Sequence, residues 1–478
     1  MSAPDLLGTP EAGRAAVRGG ALRVSGFAAS VVLSLASAIL AFRYLGVEGA
    51  GQYVKVLALV AIIGGISDAG LTAIGVRELS VRTGEARDAL AANLLGLRIV
   101  LTVAGLAVAV AFAGLAGYGT LLVAGTLLAG LGMLLQSVQQ TLAISLMSAL
   151  RLGWVTLADL LRQFVLTVSI VGLVLAGAGL LPFLAAPIAA SLLVLLLTAR
   201  LVRGDIPLVP AFAPAEWRAL LREVLPYSVA VAAGVLYFRV AILIVDLVTT
   251  DLETGYFGAS FRIVDVLVAV PALMMTAAFP IFSRAARDDR ERLAYGLSRV
   301  FDVSVIAGAG VALTLAIGAP VAIDIVGGAQ FEPAVEVLRI QAVAVGAAFL
   351  GAFWGYAMLS LRLHREILVI NVSALVLVAV LVGVLASSGG ARGAAIGTAV
   401  AELAIALLYP LVLRRSHPEL IPGLGVLPRV AAATLAGALV VLLGLPSLVA
   451  MTLAGAIFVA VLLVLRAVPQ ELLAVVGR

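Results

Sequence analysis

The sequence predicts an all-α polytopic membrane protein with about fourteen transmembrane helices. Two six-helix lobes in a parallel repeat are expected around a central cavity, followed by two C-terminal helices. Three observations carry this expectation. Of the 478 residues, 63% are hydrophobic and 12% charged, against roughly 45–50% and 25% in a soluble globular domain, and the mean hydropathy is +1.20. The apolar runs last about 20 residues, as a membrane-crossing helix requires, whereas barrel strands alternate over about ten. Lys and Arg also concentrate in alternate connections between these runs, the pattern that sets helix orientation.

In chain order, the runs begin near residues 22, 54, 92, 119, 154, 181, 224, 255, 297, 335, 366, 392, 429 and 448. Residues 1–21 read as a cytoplasmic tail, and the first run, which lacks a small-x-small cleavage pattern, as an uncleaved membrane helix. Helices one to six take 22–202 and helices seven to twelve 224–416, with helices thirteen and fourteen and a short tail in 417–478. Between the lobes, residues 203–223 form a cytoplasmic connector. Its prolines, Pro207, Pro210 and Pro214, precede AEWRALLREV, an amphipathic turn or two with Trp217, Leu220, Leu221 and Val224 on one side. That segment is expected to lie along the inner interface.

Charge then orients the helices. With the N-terminus inside, one side receives Arg14, Arg18, Arg23, Arg77, Arg82, Arg87, Arg200, Arg203, Arg284, Arg287, Arg362, Arg365, Arg414 and Arg415, among others. The opposite side keeps little beyond Arg43, Lys55 and Arg392, and its loops at 115–119, 177–181, 247–254, 318–334 and 445–448 contain no Lys or Arg. Both termini are therefore expected in the cytoplasm of a multi-pass protein of the cytoplasmic membrane.

The chain has no cysteine and two histidines, His364 and His417, both in apparent loops. Disulfides, thiol nucleophiles and cysteine-ligated metals are excluded, and no metal or other cofactor is expected. The net charge of +5 is scattered between hydrophobic spans and not gathered on a soluble face, so no nucleic-acid partner is expected. No Ser/His/acid set, external acid pair or phosphate-binding loop stands out, and the glycines read as helix-packing positions.

The chain also repeats itself. GAGQYVKVLALV from Gly49 resembles ETGYFGASFRIV from Glu253, with Tyr53 opposite Tyr256, and MSALRL from Met147 resembles MLSLRL from Met358. An even number of spans per repeat gives both halves the same orientation, an architecture suited to alternating access.

Ionisable residues inside spans are costly and mark function or pairing. At about 1.5 Å per residue, Arg239 lies roughly 21 Å from the inner end of span seven, and Arg262 and Asp265 roughly 9 and 13 Å from the outer end of span eight. These three share a depth, and Arg43 and Lys55 lie toward the same outer side. Arginine forks suit phosphate oxygens; the competing reading pairs Arg239 with Asp265 or Asp246, and Arg262 with Asp265 one turn away. Asp68 and Glu402 have no basic neighbour on their own helices, and each reads either as a proton- or sodium-coupling site or as a protonated packing element. Toward the inner side, Arg98, Asp159 and Arg162 form a candidate polar cluster, with Asp159 and Arg162 at ion-pair spacing.

FRYLGVEGAGQY (Phe42–Tyr53), DAGL from Asp68 and RELS from Arg77 resemble motifs of the polysaccharide-biosynthesis flippases, the oligosaccharide-lipid branch of the multidrug/oligosaccharidyl-lipid/polysaccharide superfamily. LREVLPYSVAVAAGVLYFRVAILIV, LETGYFGASFRIVDVLVAVPALMMTAAFPIFSR and IVGGAQFEPAVEVLRIQAV extend the resemblance over most of the first twelve spans. One departure is Ala241, where many members carry an acidic residue. The resemblance implies a flippase, not an enzyme, that moves an undecaprenyl-pyrophosphate-linked glycan between leaflets. Arg239, Arg262 and Arg43 would hold the pyrophosphate. Coupling would come from H+, Na+ or the membrane potential. The expected partners are the lipid-linked glycan, membrane lipids and glycan-assembly proteins, and the protein is expected to be a monomer. The rivals are a cation-coupled multidrug exporter of the same superfamily, a membrane glycan polymerase or ligase, and a non-transporting scaffold.

Overall fold

A computed structural model describes residues 11–68 and 70–469; the expected tail residues 1–10 and the last nine residues, with the C-terminus, lie outside the described residues. The described chain is helical throughout its spans. Eleven helical stretches are long and apolar enough to cross a membrane. Two of the helices are interrupted by a glycine: α1 (Glu11–Asp68) at Gly46 (φ 71°, ψ −178°) and α11 (His364–Ser416) at Gly390 (φ 57°, ψ −143°). Both are left-handed φ values that L side chains rarely adopt. Counting each half separately, and adding the 35-residue α7 (Pro214–Val248), gives about fourteen spans among the described residues, in line with the sequence reading. The short α2 (Leu71–Val81) follows the second span. Then come α3 (Gly84–Leu115), α4 (Thr120–Ser148), α5 (Leu152–Leu175) and α6 (Leu180–Val202). After α7 the order is α8 (Asp251–Asp288), α9 (Arg290–Gly327), α10 (Ala334–Ser360), α11, α12 (Val426–Ala438) and α13 (Ser447–Val464).

The chain divides into two compact units. The first comprises the chain up to Leu45 and Lys55–Val235; the second comprises Gly46–Val54 and the chain from Leu236 onward. Residues 203–223, expected as the connector, are held by local packing. The chain leaves α6 at Val202 and crosses α3, where Ala211 N donates to Ala92 O at 2.9 Å and Asn93 Nδ2 donates to Glu216 at 2.6 Å. Gly96 lets the Ala211 carbonyl approach α3 closely. The amphipathic AEWRALLREV is the start of α7, not a separate interfacial turn, and Leu220 is buried with Leu94, Leu97 and Ile144.

Within the first unit, α4 packs on α3 and α6, and α5 on α6; within the second, α10 packs on α8, α9 and α11. The helix ends repeat as well. At the end of α4, Leu150 takes a left-handed φ of 56° and Arg151 N donates to Leu146 O; at the end of α10, Arg362 takes 61° and Leu363 N donates to Met358 O. These are Schellman ends, which close the last carbonyls of a helix. The next residues, Arg151 (φ −81°, ψ 48°) and Leu363 (φ −80°, ψ 54°), open the following helix with nearly the same dihedrals.

Helices α12 and α13 join the second unit: Gly310 and Gly318 of α9 receive Phe458 and Met451 of α13.

In the second unit, Gly46–Val54 crosses α8 at backbone distance. A Cβ on Gly51 would meet the Asp251 carbonyl, one on Gly255 the Val47 carbonyl, and one on Gly258 the Val54 side chain at 3.0 Å. Gln52 Nε2 bonds Asp251 Oδ2 at 2.8 Å. The contact is reciprocal when Gly51 is matched to Gly255, a register that sets Tyr53 opposite Phe257 and not Tyr256. Gly51→Ala is therefore expected to lower stability by about 1–3 kcal/mol through overpacking, read by thermal unfolding in detergent. Gly172→Ala, at an exposed helical position with open space around it, is expected to be neutral or stabilising by up to about 1 kcal/mol.

Candidate functional site

The depth count that put Arg239, Arg262 and Asp265 level is matched by their contacts. Arg239 Nη2, on α7, donates to both Asp265 oxygens at 3.3 and 3.2 Å, and Arg262 Nη1 reaches Asp265 Oδ2 at 3.5 Å from one turn earlier on α8. The ion pair named as the rival reading is thus present. It does not neutralise the site, because one carboxylate faces two guanidinium groups. Phe238 and Phe261 flank the Arg239 guanidinium, with ring centroids 5.5 and 5.8 Å away. Arg239 is 30% exposed and Arg262 24%. Tyr53 lies within electrostatic reach of Arg262. Arg43 belongs to the first unit, where it is exposed. In the same unit, Lys55 is buried with its Nζ 4.5 Å from the Tyr118 ring centroid.

The two candidate coupling carboxylates part company. Asp68 has a basic partner across helices: Arg98 of α3 donates to its Oδ1, as does Thr72, and Gly70 N donates to Oδ2 at 3.4 Å. Arg98 is 2% exposed and also donates to Gln140 Oε1 at 3.4 Å. This overturns the expectation of an unpaired Asp68; of the expected inner cluster, Asp159 and Arg162 are electrostatic neighbours on α5. A one-helix search could not see a pair made between α1 and α3.

Glu402 has no such partner. It accepts a hydrogen bond from the Tyr237 hydroxyl and lines a cavity of about 40 Å³ shared with Phe238, Gln341, Val378 and Thr398. That volume holds a water or two, or a small desolvated cation. Gln341 of α10 is 2% exposed, and its Oε1 has no hydrogen-bond partner. The polar lining therefore offers oxygens: a carboxylate, a phenol, an amide carbonyl and a hydroxyl. Sequence reasoning missed Tyr237, Gln341 and Thr398; the one available signal was an amide, Gln341, inside an apolar span. It also missed Glu253, which accepts from Ala391 N at 2.6 Å and so caps the second half of α11 after the Gly390 break. Among the described residues, no group of three or more His, Asp or Glu side chains is placed to hold a metal ion.

These features define a multi-pass, all-helical membrane protein with a net-positive polar site inside its apolar spans. Residues 17–286, more than half of the chain, match the family described as polysaccharide biosynthesis protein, and the chain belongs to that family. Its fold is similar to that of a lipid II flippase, MurJ, solved in an inward closed conformation, with TM-score 0.78 at 12% identity over 92% of this chain and 97% of that one. It is also similar to an inward-facing multidrug resistance MATE family transporter of the MOP superfamily, with TM-score 0.62 at 16% identity over 82% and 95% of the two chains. A MOP superfamily transporter from Pyrococcus furiosus gives TM-score 0.58 at 18% identity over 88% and 99%. No curated protein matches the sequence.

The Asp68–Arg98 contact generates a stability prediction. Asp68→Asn leaves a buried guanidinium without its counter-ion and is expected to cost about 3 kcal/mol in unfolding free energy. Asp68→Asn combined with Arg98→Leu is expected to recover much of that loss in the same detergent unfolding measurement.

Proposed function

We propose that the protein is a flippase that carries an undecaprenyl-pyrophosphate-linked oligosaccharide from the inner to the outer leaflet of the cytoplasmic membrane by alternating access, supplying surface polysaccharide synthesis. The observation that carries the reading is the sharing of Asp265 by Arg239 and Arg262, which leaves a net positive charge within apolar spans. Two guanidinium groups offer paired N–H donors to phosphate oxygens, the strongest class of hydrogen bond available to such a ligand. A cationic drug would meet repulsion at the same place, which disfavours a multidrug exporter. The family description and the structural likeness to a lipid II flippase support the same substrate class. The Arg bias of alternate connections supports an orientation with both termini in the cytoplasm.

Coupling falls to Glu402. Its cavity lining of oxygen donors suits a proton or a hard monovalent cation, whereas Asp68 is already neutralised by Arg98. Reconstitution in vesicles with a fluorescent undecaprenyl-pyrophosphate glycan tests both assignments. Leaflet exchange above that of empty vesicles is expected, and Arg239→Ala is expected to slow it about 10- to 100-fold, the worth of a charge-assisted hydrogen bond of roughly 1.5–3 kcal/mol. Exchange equal to empty vesicles across several glycans and ion gradients would refute the transport reading. In the same assay, Glu402→Gln is expected to keep substrate binding while removing the dependence of exchange on a proton or sodium gradient. A gradient response unchanged in that variant would move coupling elsewhere.

A further inference from the structure

The bridge between the two arginines is both shared and loose. Guanidinium–carboxylate bonds ordinarily close to about 2.7–2.9 Å, often with two nitrogens on two oxygens. Here a single nitrogen, Arg239 Nη2, straddles both Asp265 oxygens at 3.2 and 3.3 Å, and Arg262 Nη1 stands at 3.5 Å. Among the described residues, Nη2 is the only nitrogen of Arg239 that meets a hydrogen-bond acceptor. The guanidinium is partly open, whereas Asp265, at 19% exposure, is the most covered of the three groups.

We propose that Asp265 is an internal stand-in for the substrate's pyrophosphate: a tethered anion that occupies the two arginines between transport events and is displaced when substrate binds. The proposal rests on the assignment of Arg239 and Arg262 to pyrophosphate binding and gives that site its means of release. Two uncompensated guanidinium groups in an apolar span would hold a multiply charged anion tightly and give it up slowly. A carboxylate on the same helix as Arg262 competes intramolecularly, at an effective concentration no free anion reaches, so it lowers affinity without a new conformational state. It also spares the empty carrier two bare charges in a low-dielectric setting. The stand-in carries a single negative charge, so a ligand with more charge and more acceptor oxygens, such as a diphosphate, displaces it more readily than a monophosphate does. Asp265 thereby acts as a specificity-determining residue that favours lipid diphosphates.

The experiment compares binding of undecaprenyl pyrophosphate and undecaprenyl phosphate to the purified full-length protein in detergent, together with leaflet exchange in vesicles. Asp265→Asn is expected to tighten the pyrophosphate Kd at least about tenfold, to tighten the monophosphate Kd more, and to slow exchange at saturating substrate. Asp265→Glu, which restores the charge, is expected to return all three toward wild type. The thermal unfolding midpoint of each variant separates these effects from misfolding, and Asp265→Ser serves where Asp265→Asn does not fold. If Asp265→Asn or Asp265→Ser folds and binds pyrophosphate no more tightly than wild type, Asp265 merely positions the arginines and the stand-in role is overturned. If Arg239→Ala binds pyrophosphate as wild type does, the site assignment itself is wrong, a result distinguishable from the first.

Discussion

An ionised group inside an apolar span must be paired, wetted or neutralised, and much of what is particular to this chain follows from how it meets that requirement in three different ways. In the first unit, Arg98 is buried, with Asp68 supplying its counter-charge across helices, Gln140 accepting from the same guanidinium and Thr72 donating to the same carboxylate. In the second, Arg239 and Arg262 divide one carboxylate and keep a surplus charge. Among the described residues, Glu402 meets the Tyr237 hydroxyl and a small cavity and forms no ion pair. A pair matched one charge to one holds helices together. Two cations on one carboxylate leave charge for an anionic ligand, and a carboxyl in a cavity has capacity for a cation.

This contrast explains where sequence reasoning succeeds. The spans are legible because each one writes its own length into a run of apolar residues, and the repeat is legible because backbone turns are set locally, as the matched ends of α4 and α10 demonstrate. Arg239, Arg262 and Asp265 are legible because helical rise converts position into depth, and two of the three lie on one helix. The Asp68–Arg98 pair and the Tyr237–Glu402 bond are not, because they join helices whose rotation about their own axes is fixed only by packing. The register of the repeat is blurred for a related reason: tyrosines stand out in a sequence, but the close approach of Gly51 and Gly255 decides which residues face each other.

The glycine crossing also bears on how the site is held. Gly46–Val54 lies against the first turns of α8, with the Gln52–Asp251 bond at its edge. Farther along the same helix, Phe257, Phe261, Arg262 and Asp265 follow in sequence, so the backbone contact fixes the origin from which the site residues are displayed. Glu253 adds a second tie by capping the second half of α11, the helix segment that carries Thr398 and Glu402. One end of α8 thus anchors the scaffold of both polar sites. A Cβ at Gly51 or Gly255 would disturb them without touching either.

Those two sites also share material. Tyr237, Phe238 and Arg239 are consecutive on α7: the first bonds Glu402, the second lines the Glu402 cavity, and the third bonds Asp265. Phe261 lines the cavity and also flanks the Arg239 guanidinium. Because closely packed side chains move between discrete arrangements and do not deform smoothly, a cation that takes the Glu402 carboxylate from Tyr237 changes the neighbour of Phe238 on one side while Arg239 depends on that same ring on the other. In a carrier of the proposed kind, the energetic link between driving ion and anionic cargo then needs no long relay. It is a matter of one helical turn of α7 and one aromatic ring of α8, with Asp265 setting how much of the arginine charge is available when that turn shifts.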